Sequence, residues 1–174
     1  MAKKNTDPHG IIIFFDIDGV LGDFDSHARA RNKMKPDGKV DYEALEQEWW
    51  SSMPVYDGAR ELVQAARKLG AVRFLTGPIP SPTCYGGKAE WVKNFQPEKG
   101  RFGLMDLIIC PAADKGLMAG PRRILIDDRI ENVEGWKAAG GLGIHHTGDF
   151  TQTFAKLTAA VRGLQPPQNA PRPV

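Results

Sequence analysis

The sequence predicts an α/β fold in which helices sandwich a parallel sheet. Short, uninterrupted apolar runs alternate with helix-like segments along the chain, and such runs are typical of strands buried on both faces of a sheet. About 55 residues separate the first two runs, far more than a crossover helix requires. This long segment predicts a small helical cap that is inserted after the first strand and stands over the sheet.

Five apolar runs predict the strands, and the last of them is the weakest. They are IIIFF (11–15), AVRFLT (71–76), LIIC (107–110), RILID (123–127) and LGIHH (142–146). Between them, apolar residues at helical spacing and closing glycines predict helices. These helices lie in DGARELVQAARKLG (57–70), GGKAEWVKNF (86–95) and NVEGWKAAGG (132–141). The tryptophans of the last two, Trp91 and Trp136, are predicted core residues.

The chain divides into a core, a cap and a tail. We predict a core over residues 1–20 and 57–164, and a cap over residues 21–56 with two helices around a KPDGK turn. Asp23 and Asp25, at the cap entrance, are predicted to serve as helix caps or hinge residues. The tail 165–174 is rich in proline and is predicted to be disordered.

Bulk composition excludes several functional classes. The 174 residues are 41% hydrophobic and carry a formal charge of +2, which gives no case for binding a nucleic-acid polymer or a membrane. The two cysteines, Cys84 and Cys110, and a polar N-terminus without the apolar core of a signal peptide fit a reducing compartment. We therefore expect a cytoplasmic protein. A homodimer is compatible with this composition.

Polar residues that could carry chemistry follow the predicted strands. Asp16 and Asp18 come after the first strand and Thr76 ends the second, while Lys115 follows the third. The pair 127–128, Asp-Asp, closes the fourth strand. Ligands of open parallel sheets bind beyond the carboxyl ends of the strands. Taken alone, each residue is more simply explained as part of a turn, as a helix cap or as a solvated side chain. Their occurrence together, each at or just after the end of a predicted strand, predicts a functional site.

Carboxylates gathered at one site need a cation, and Mg²⁺ is the natural candidate because it prefers oxygen ligands and phosphate. One carboxylate of the D-x-D pair could then attack phosphorus, while the other transfers protons. Thr76 and the backbone of Gly77 could donate hydrogen bonds to the phosphate oxygens. Lys88 or Lys115 could supply the positive charge that phosphoryl transfer requires.

Four motifs, FFDIDGV, FLTG, DK at 114–115 and LIDDR, resemble those of the haloacid dehalogenase-like (HAD) superfamily of phosphohydrolases over about residues 11–147. The resemblance implies a Rossmann-like sheet, with Asp16 as nucleophile and Asp18 as general acid and base. It further implies that Thr76 binds phosphate and that Lys115 steadies the nucleophile and the phosphate. The Mg²⁺ ligands implied by the motifs are Asp16, the Asp18 carbonyl and Asp128, with Asp127 as a further candidate.

A narrower resemblance is to the 5'(3')-deoxyribonucleotidases, carried by DIDGVLGDF, IDDRIEN, WWSSMPVYDGARELV and KAEWVKNF. It implies a nucleoside monophosphate as substrate, Lys88 at the phosphate and Arg129 at the site mouth. Phe24, Trp49 and Trp50 would form a wall against a base or sugar, although neighbouring residues on a helix face different directions. At least one of the two tryptophans is therefore predicted to lie in the cap core.

Two alternatives stay open. The first is a HAD phosphatase for another small phosphorylated metabolite, since cap residues decide the substrate. The GPIPSP sequence after Thr76 also departs from the nucleotidase pattern, which leaves a backbone amide for one phosphate contact. The second is a nucleotide-binding module without turnover, whose expected mark is a missing Asp16 or Asp18. Because both aspartates are present, a phosphatase is the favoured reading.

Overall fold

A computed structural model describes residues 10–164, so the predictions for the first nine residues and for the tail 165–174 lie outside the described residues. Its sheet has five strands, and every neighbouring pair is parallel, in the order β3-β2-β1-β4-β5. The strands are β1 (Ile12–Phe15), β2 (Ala71–Thr76), β3 (Leu107–Ile109), β4 (Arg123–Asp127) and β5 (Leu142–His145). The predicted α/β class with a parallel sheet is confirmed.

Six α-helices and three short 3₁₀ helices connect the strands within the described residues. The α-helices are α1 (Phe24–Ala30), α2 (Gln47–Ser51), α3 (Ala59–Ala66), α4 (Pro82–Phe95), α5 (Ile130–Ala138) and α6 (Phe150–Leu164). The 3₁₀ helices are Tyr42–Ala44, Pro97–Asp106 and Ala112–Met118. The sequence pattern assigned no helix to α6. Among residues 10–164, no helix is both long and apolar enough to cross a bilayer.

The sheet is buried on both faces, which explains its uninterrupted apolar strands. On one face Phe15 and Phe74 belong to the main core cluster together with residues of α3, α4 and α6. On the other face Phe14 packs edge-on against Trp136 of α5, with ring centroids 5.1 Å apart. Trp91 and Trp136 are both buried, as predicted.

The segment 21–56 contains α1, α2 and the predicted KPDGK turn. This turn is a small hairpin, since a bridge joins Met34 to Val40 and the amide of Lys35 donates to the carbonyl of Lys39 at 2.7 Å. Trp49 and Trp50 lie in a small apolar cluster that also contains Cys84 of α4. The segment 21–56 therefore shares this cluster with a helix that flanks the sheet.

The two ends of the cap leave the core side by side. A bridge pairs Gly22 with Val55, the Asp23 amide donates to the Pro54 carbonyl at 2.8 Å, and the Tyr56 amide donates to the Leu21 carbonyl at 2.9 Å. We call residues 21–23 and 54–56 the stalk. Asp23 also caps α1, because its Oδ1 accepts a hydrogen bond from the Ser26 amide at 3.1 Å.

Helix α2 of the cap lies close against α4 of the core. A Cβ atom at Gly87 would come within 2.7 Å of the Gln47 carbonyl and within 3.2 Å of the Trp50 ring. Only a residue without a side chain permits this approach. The glycine therefore lets the cap rest directly on the helix that carries Lys88.

Candidate active site

The sheet register brings the carboxyl ends of β1, β2 and β4 to one edge. Phe15 of β1 is level with Phe74 of β2 and with Ile126 of β4. A cavity of about 510 Å³ opens between this edge and the cap. It is lined by Asp16, Asp18, Gly19, Phe24, Asp25, Tyr42, Trp50, Tyr56, Gly77, Pro78, Ile79, Ala112, Lys115, Asp128, Arg129 and Asn132.

Asp16 lies on the cavity floor beside a buried lysine. Its Oδ2 is 3.1 Å from Lys115 Nζ, and its Oδ1 accepts a hydrogen bond from the Ile17 amide at 2.8 Å. Burial raises the pKa of Asp16 to about 7, opposed by the charge of Lys115 and assisted by Asp127 and Asp18. Burial also opposes the charge of Lys115, but Asp16 and Asp127 outweigh it and raise the pKa of the lysine. The lysine therefore stays charged next to the carboxylate.

Asp127 is fully buried and accepts hydrogen bonds on both carboxylate oxygens. Oδ2 lies 2.7 Å from Lys115 Nζ, and Oδ1 accepts from the Arg129 amide at 3.0 Å. The Asn132 amide group donates to both oxygens, at 3.0 and 3.1 Å. Asp127 thus orients Lys115 and the start of α5 from behind the cavity.

Asp128 faces the cavity and lies against Gly19. Gly19 has φ of +76°, and a Cβ atom there would lie 2.7 Å from Cγ of Asp128. The glycine is required both by its left-handed backbone and by this close approach. Burial, together with the charge of Asp127, raises the pKa of Asp128 to about 6.

Asp18 forms an ion pair with the buried Lys88 of α4. Lys88 Nζ also donates to Thr76 Oγ1 at 2.7 Å and lies 5.1 Å from the centroid of the Trp50 ring. One lysine therefore joins the ends of β1 and β2 to the cap. The contact of an ammonium group with an aromatic face is favourable when the ammonium group is desolvated.

Aromatic side chains of the cap form the wall opposite the carboxylates. Phe24, Tyr42 and Trp50 line the cavity, and the rings of Phe24 and Tyr42 stack with centroids 6.2 Å apart. Trp49 is not among the described lining residues; it packs edge-on against Trp50, with centroids 5.0 Å apart, and beside His27 in the cap. The cavity wall is therefore apolar and flat, while its floor is charged.

The structure brings most of the predicted site residues together. The cavity is lined by Asp16, Asp18, Phe24, Trp50, Gly77, Lys115, Asp128 and Arg129. Thr76, Lys88 and Asp127 lie one layer behind, each in contact with a lining residue or with its partner.

Sequence reasoning gave no site role to Tyr42, Tyr56, Asn132 or Asp25, all of which line the cavity. Asn132 closes the quoted motif IDDRIEN, so its spacing after the aspartate pair was the available signal. Burial and neighbouring carboxylates, Asp23 first among them, raise the pKa of Tyr56 to about 12, so its hydroxyl stays neutral. The tyrosines carried no comparable motif.

The donor set fits a hard divalent cation. One carboxylate oxygen from each of Asp16, Asp127 and Asp128 lies within 4.8 Å of the others. The Oδ1 atoms of Asp18 and Asp128 are buried without a hydrogen-bond partner among the described residues. Buried carboxylate oxygens without a partner are unfavourable, and oxygen atoms are the ligands that Mg²⁺ prefers.

Comparison with known proteins shows similarity at the level of structure. No protein-family profile and no curated protein sequence matches the chain. An uncharacterized protein from Corynebacterium glutamicum has 17% identity and a TM-score of 0.50, with 91% of this chain and 98% of that chain covered. A HAD-superfamily hydrolase from Ehrlichia chaffeensis has 11% identity and a TM-score of 0.51, with 86% and 97% covered.

The HAD domain of the effector protein Lem4 from Legionella pneumophila is also similar, at 15% identity and a TM-score of 0.47, with 88% of this chain and 96% of that chain covered. At these identities the similarity concerns the fold alone. The chain has the α/β fold seen in the Ehrlichia HAD-superfamily hydrolase.

Proposed function

We propose that the protein is a Mg²⁺-dependent phosphatase that hydrolyses nucleoside monophosphates, with deoxyribonucleotides preferred, to nucleoside and phosphate. The observation that carries this proposal is the buried pair of Asp16 and Lys115, 3.1 Å apart on the floor of an open cavity. Asp18 lies beside this pair and is itself held by Lys88. A nucleophile, a proton carrier and two cations are thus gathered at one point.

In the first step, a carboxylate oxygen of Asp16 attacks the phosphorus atom of the ester. The bond from phosphorus to the ester oxygen breaks, and its electron pair leaves with that oxygen, which takes a proton from Asp18. The products of this step are the free alcohol and a phosphoryl group bound to Asp16. Lys115 stabilises the negative charge on the phosphoryl oxygens.

In the second step, a water molecule attacks the phosphorus atom of the phosphorylated Asp16. Asp18, now a carboxylate, accepts a proton from this water, and the bond from phosphorus to the Asp16 oxygen breaks. Inorganic phosphate leaves, and both aspartates regain their starting states. Lys88 supports this exchange because its ammonium group contacts both Asp18 and Thr76.

Mg²⁺ would be held by Asp16, Asp128 and the carbonyl of Asp18. When bound, it would neutralise these carboxylates and the phosphate oxygens. Asp127 fits a supporting role better than a direct one, because Lys115, Asn132 and the Arg129 amide already occupy its oxygens.

The nucleotide preference rests on the cap wall. The rings of Phe24 and of the exposed Tyr42 line the cavity, and stacking of one base on an aromatic side chain contributes about 1–3 kcal/mol. Trp50 is almost fully buried and supports this wall from behind. Gly77 would donate its backbone amide to a phosphate oxygen, and Arg129 would sit at the mouth of the cavity. Trp49, which packs against Trp50, has only a structural role in this proposal.

The deciding experiment measures phosphate release from a panel of ribonucleoside and deoxyribonucleoside monophosphates, with sugar phosphates as controls. We expect the highest kcat/KM on deoxyribonucleoside monophosphates. Faster hydrolysis of sugar phosphates would favour a phosphatase for another metabolite. Binding of nucleotides without phosphate release in the presence of Mg²⁺ would instead indicate a binding module.

A further inference from the structure

The peptide group that joins Asp128 to Arg129 is held at both of its polar ends. Its N–H, on Arg129, donates to Asp127 Oδ1 at 3.0 Å. Its C=O, on Asp128, lies 2.8 Å from Nε2 of His145. Because a carbonyl oxygen only accepts hydrogen bonds, the His145 ring carries its proton on Nε2 at this contact.

This second contact comes from the neighbouring strand. His145 is level with Asp127 in the pairing of β4 with β5, and the His146 amide donates to the Asp127 carbonyl at 2.9 Å. The backbone ladder thus ends at Asp127, and the His145 side chain extends the pairing by one residue. The carbonyl of Asp128 is fixed although the strand has already ended.

We propose that His145 is a positioning residue for Asp128 and thereby sets the affinity of the site for Mg²⁺. Fixing the peptide group limits rotation about the backbone bond that follows the Asp128 Cα atom. The carboxylate then stays pointed at Gly19 and the cavity, where its Oδ1 is buried and has no hydrogen-bond partner within residues 10–164. The inference rests on the metal ligation assumed in the proposed function.

A contact of this kind acts on the metal through the ligand that it orients. Removal of groups that orient a metal ligand typically weakens metal binding by about 10–100-fold. The mechanism gives His145 no contact with substrate, so its loss should change Mg²⁺ affinity more than turnover at saturating Mg²⁺. A residue that merely stabilises the fold would not produce this separation.

The chain offers a matched control in the adjacent histidine. His146, the residue after β5, has its Nδ1 2.8 Å from Thr153 Oγ1 of α6. The two neighbouring histidines thus make side-chain hydrogen bonds of equal length. T153V removes the bond that does not reach Asp128. H145L removes the bond that does, while H145Q keeps an N–H group near the position of Nε2.

The experiment measures Mg²⁺ binding to the full chain by titration calorimetry, together with the rise in Tm that Mg²⁺ causes in each variant. We expect H145L to bind Mg²⁺ about 10-fold or more weakly than the natural sequence, H145Q to recover most of the loss, and T153V to lower Tm without changing the affinity. Equal affinity in H145L and the natural sequence would overturn the inference. So would an equal loss in T153V, or an H145Q variant as weak as H145L.

Absence of Mg²⁺ binding by the natural sequence would count against the proposed metal site itself. Normal binding there with unchanged affinity in H145L would count only against the role of His145. The two failures are therefore distinguishable.

Discussion

Two features of its surroundings act in opposite directions on the charge of Asp16. Its side chain is buried, which disfavours the charged form, yet Lys115 lies 3.1 Å away and favours it. Replacing Asp16 with Asn keeps the shape of the side chain and removes the nucleophilic oxygen. We expect D16N to lose phosphate release by about 10⁴-fold or more, as is typical when a nucleophile is removed, while its circular dichroism spectrum stays unchanged.

Asp25 provides the control for this substitution. It lines the same cavity but is exposed and pairs at 3.8 Å with Arg29, one turn along α1. D25N therefore removes a carboxylate from the cavity without touching the pair of Asp16 and Lys115. Near-normal turnover in D16N would show that Asp16 is not the nucleophile. An equal loss in D25N would show that the effect is not specific to the pair of Asp16 and Lys115.

At the scale of the element, α2 presents its two tryptophans to different surroundings. Trp50 lines the cavity, whereas Trp49 packs against Trp50 and His27 inside the cap. Trp50 is almost fully buried with its ring beside the Lys88 ammonium, so we expect W50L to lower kcat/KM for a deoxyribonucleoside monophosphate and for a small aryl phosphate alike. Y42L, at the exposed ring of the cavity, should instead raise KM for the nucleotide by about 5- to 100-fold through lost stacking, with little change for the aryl phosphate. W49L should lower Tm, and steady-state kinetics on the two substrates separates these outcomes.

The elements that could be predicted are those whose signal is local. The strands were predictable because both faces of the sheet are buried and each strand is a plain apolar run. Helix α6 was not predicted because its buried stripe consists of Thr153, Leu157 and Val161. A threonine interrupts the apolar period there, and its burial depends on the bond to His146 in another element.

For the site, too, only the features with a local sequence signal could be predicted. The positions of Asp16 and Asp18 after a buried strand were enough to predict a reactive edge. Which member of the aspartate pair 127–128 faces the cavity depends on where Lys115 and Asn132 lie in space. Which tryptophan of α2 reaches the edge of the cavity likewise depends on how α2 packs against Gly87. Neither follows from spacing along the chain.

At the scale of the whole molecule, the site lowers stability in the absence of metal. Burial raises the pKa of Asp16 to about 7 and that of Asp128 to about 6, from an ordinary value of 3.8. Between pH 4 and 7 these two carboxyl groups therefore hold protons that they have released in the unfolded chain, so their contribution to the unfolding free energy falls as pH rises through this window. The buried His27 and His146, whose pKa values are lowered by burial, act in the opposite direction.

We expect the difference in Tm between the EDTA-treated natural sequence and EDTA-treated D16N to move against the natural sequence from pH 5 to pH 8, because both proteins share the histidines and only one has the Asp16 carboxyl group. Mg²⁺ binds the charged carboxylates of the folded state, so its addition should raise Tm more at pH 8 than at pH 5. EDTA should also abolish phosphate release, and Mg²⁺ should restore it. Differential scanning fluorimetry of both proteins across this range gives the test. An identical pH dependence of Tm in D16N and in the natural sequence would contradict the raised pKa of Asp16.

The stalk has a consequence for how this protein can change. Because residues 21–23 run beside residues 54–56, joined by the Gly22 to Val55 bridge, the cap leaves and re-enters the core at nearly one point. Insertions or deletions between these two segments, at the exposed KPDGK turn for example, would lengthen or shorten the chain over the cavity and leave the spacing of the sheet unaltered. Changes in α2 are different, because Trp50 lies beside Lys88 and α2 packs on Gly87 of α4. Variation in the first region would alter what the cavity admits, and variation in the second would also disturb the carboxylates and lysines of the sheet edge.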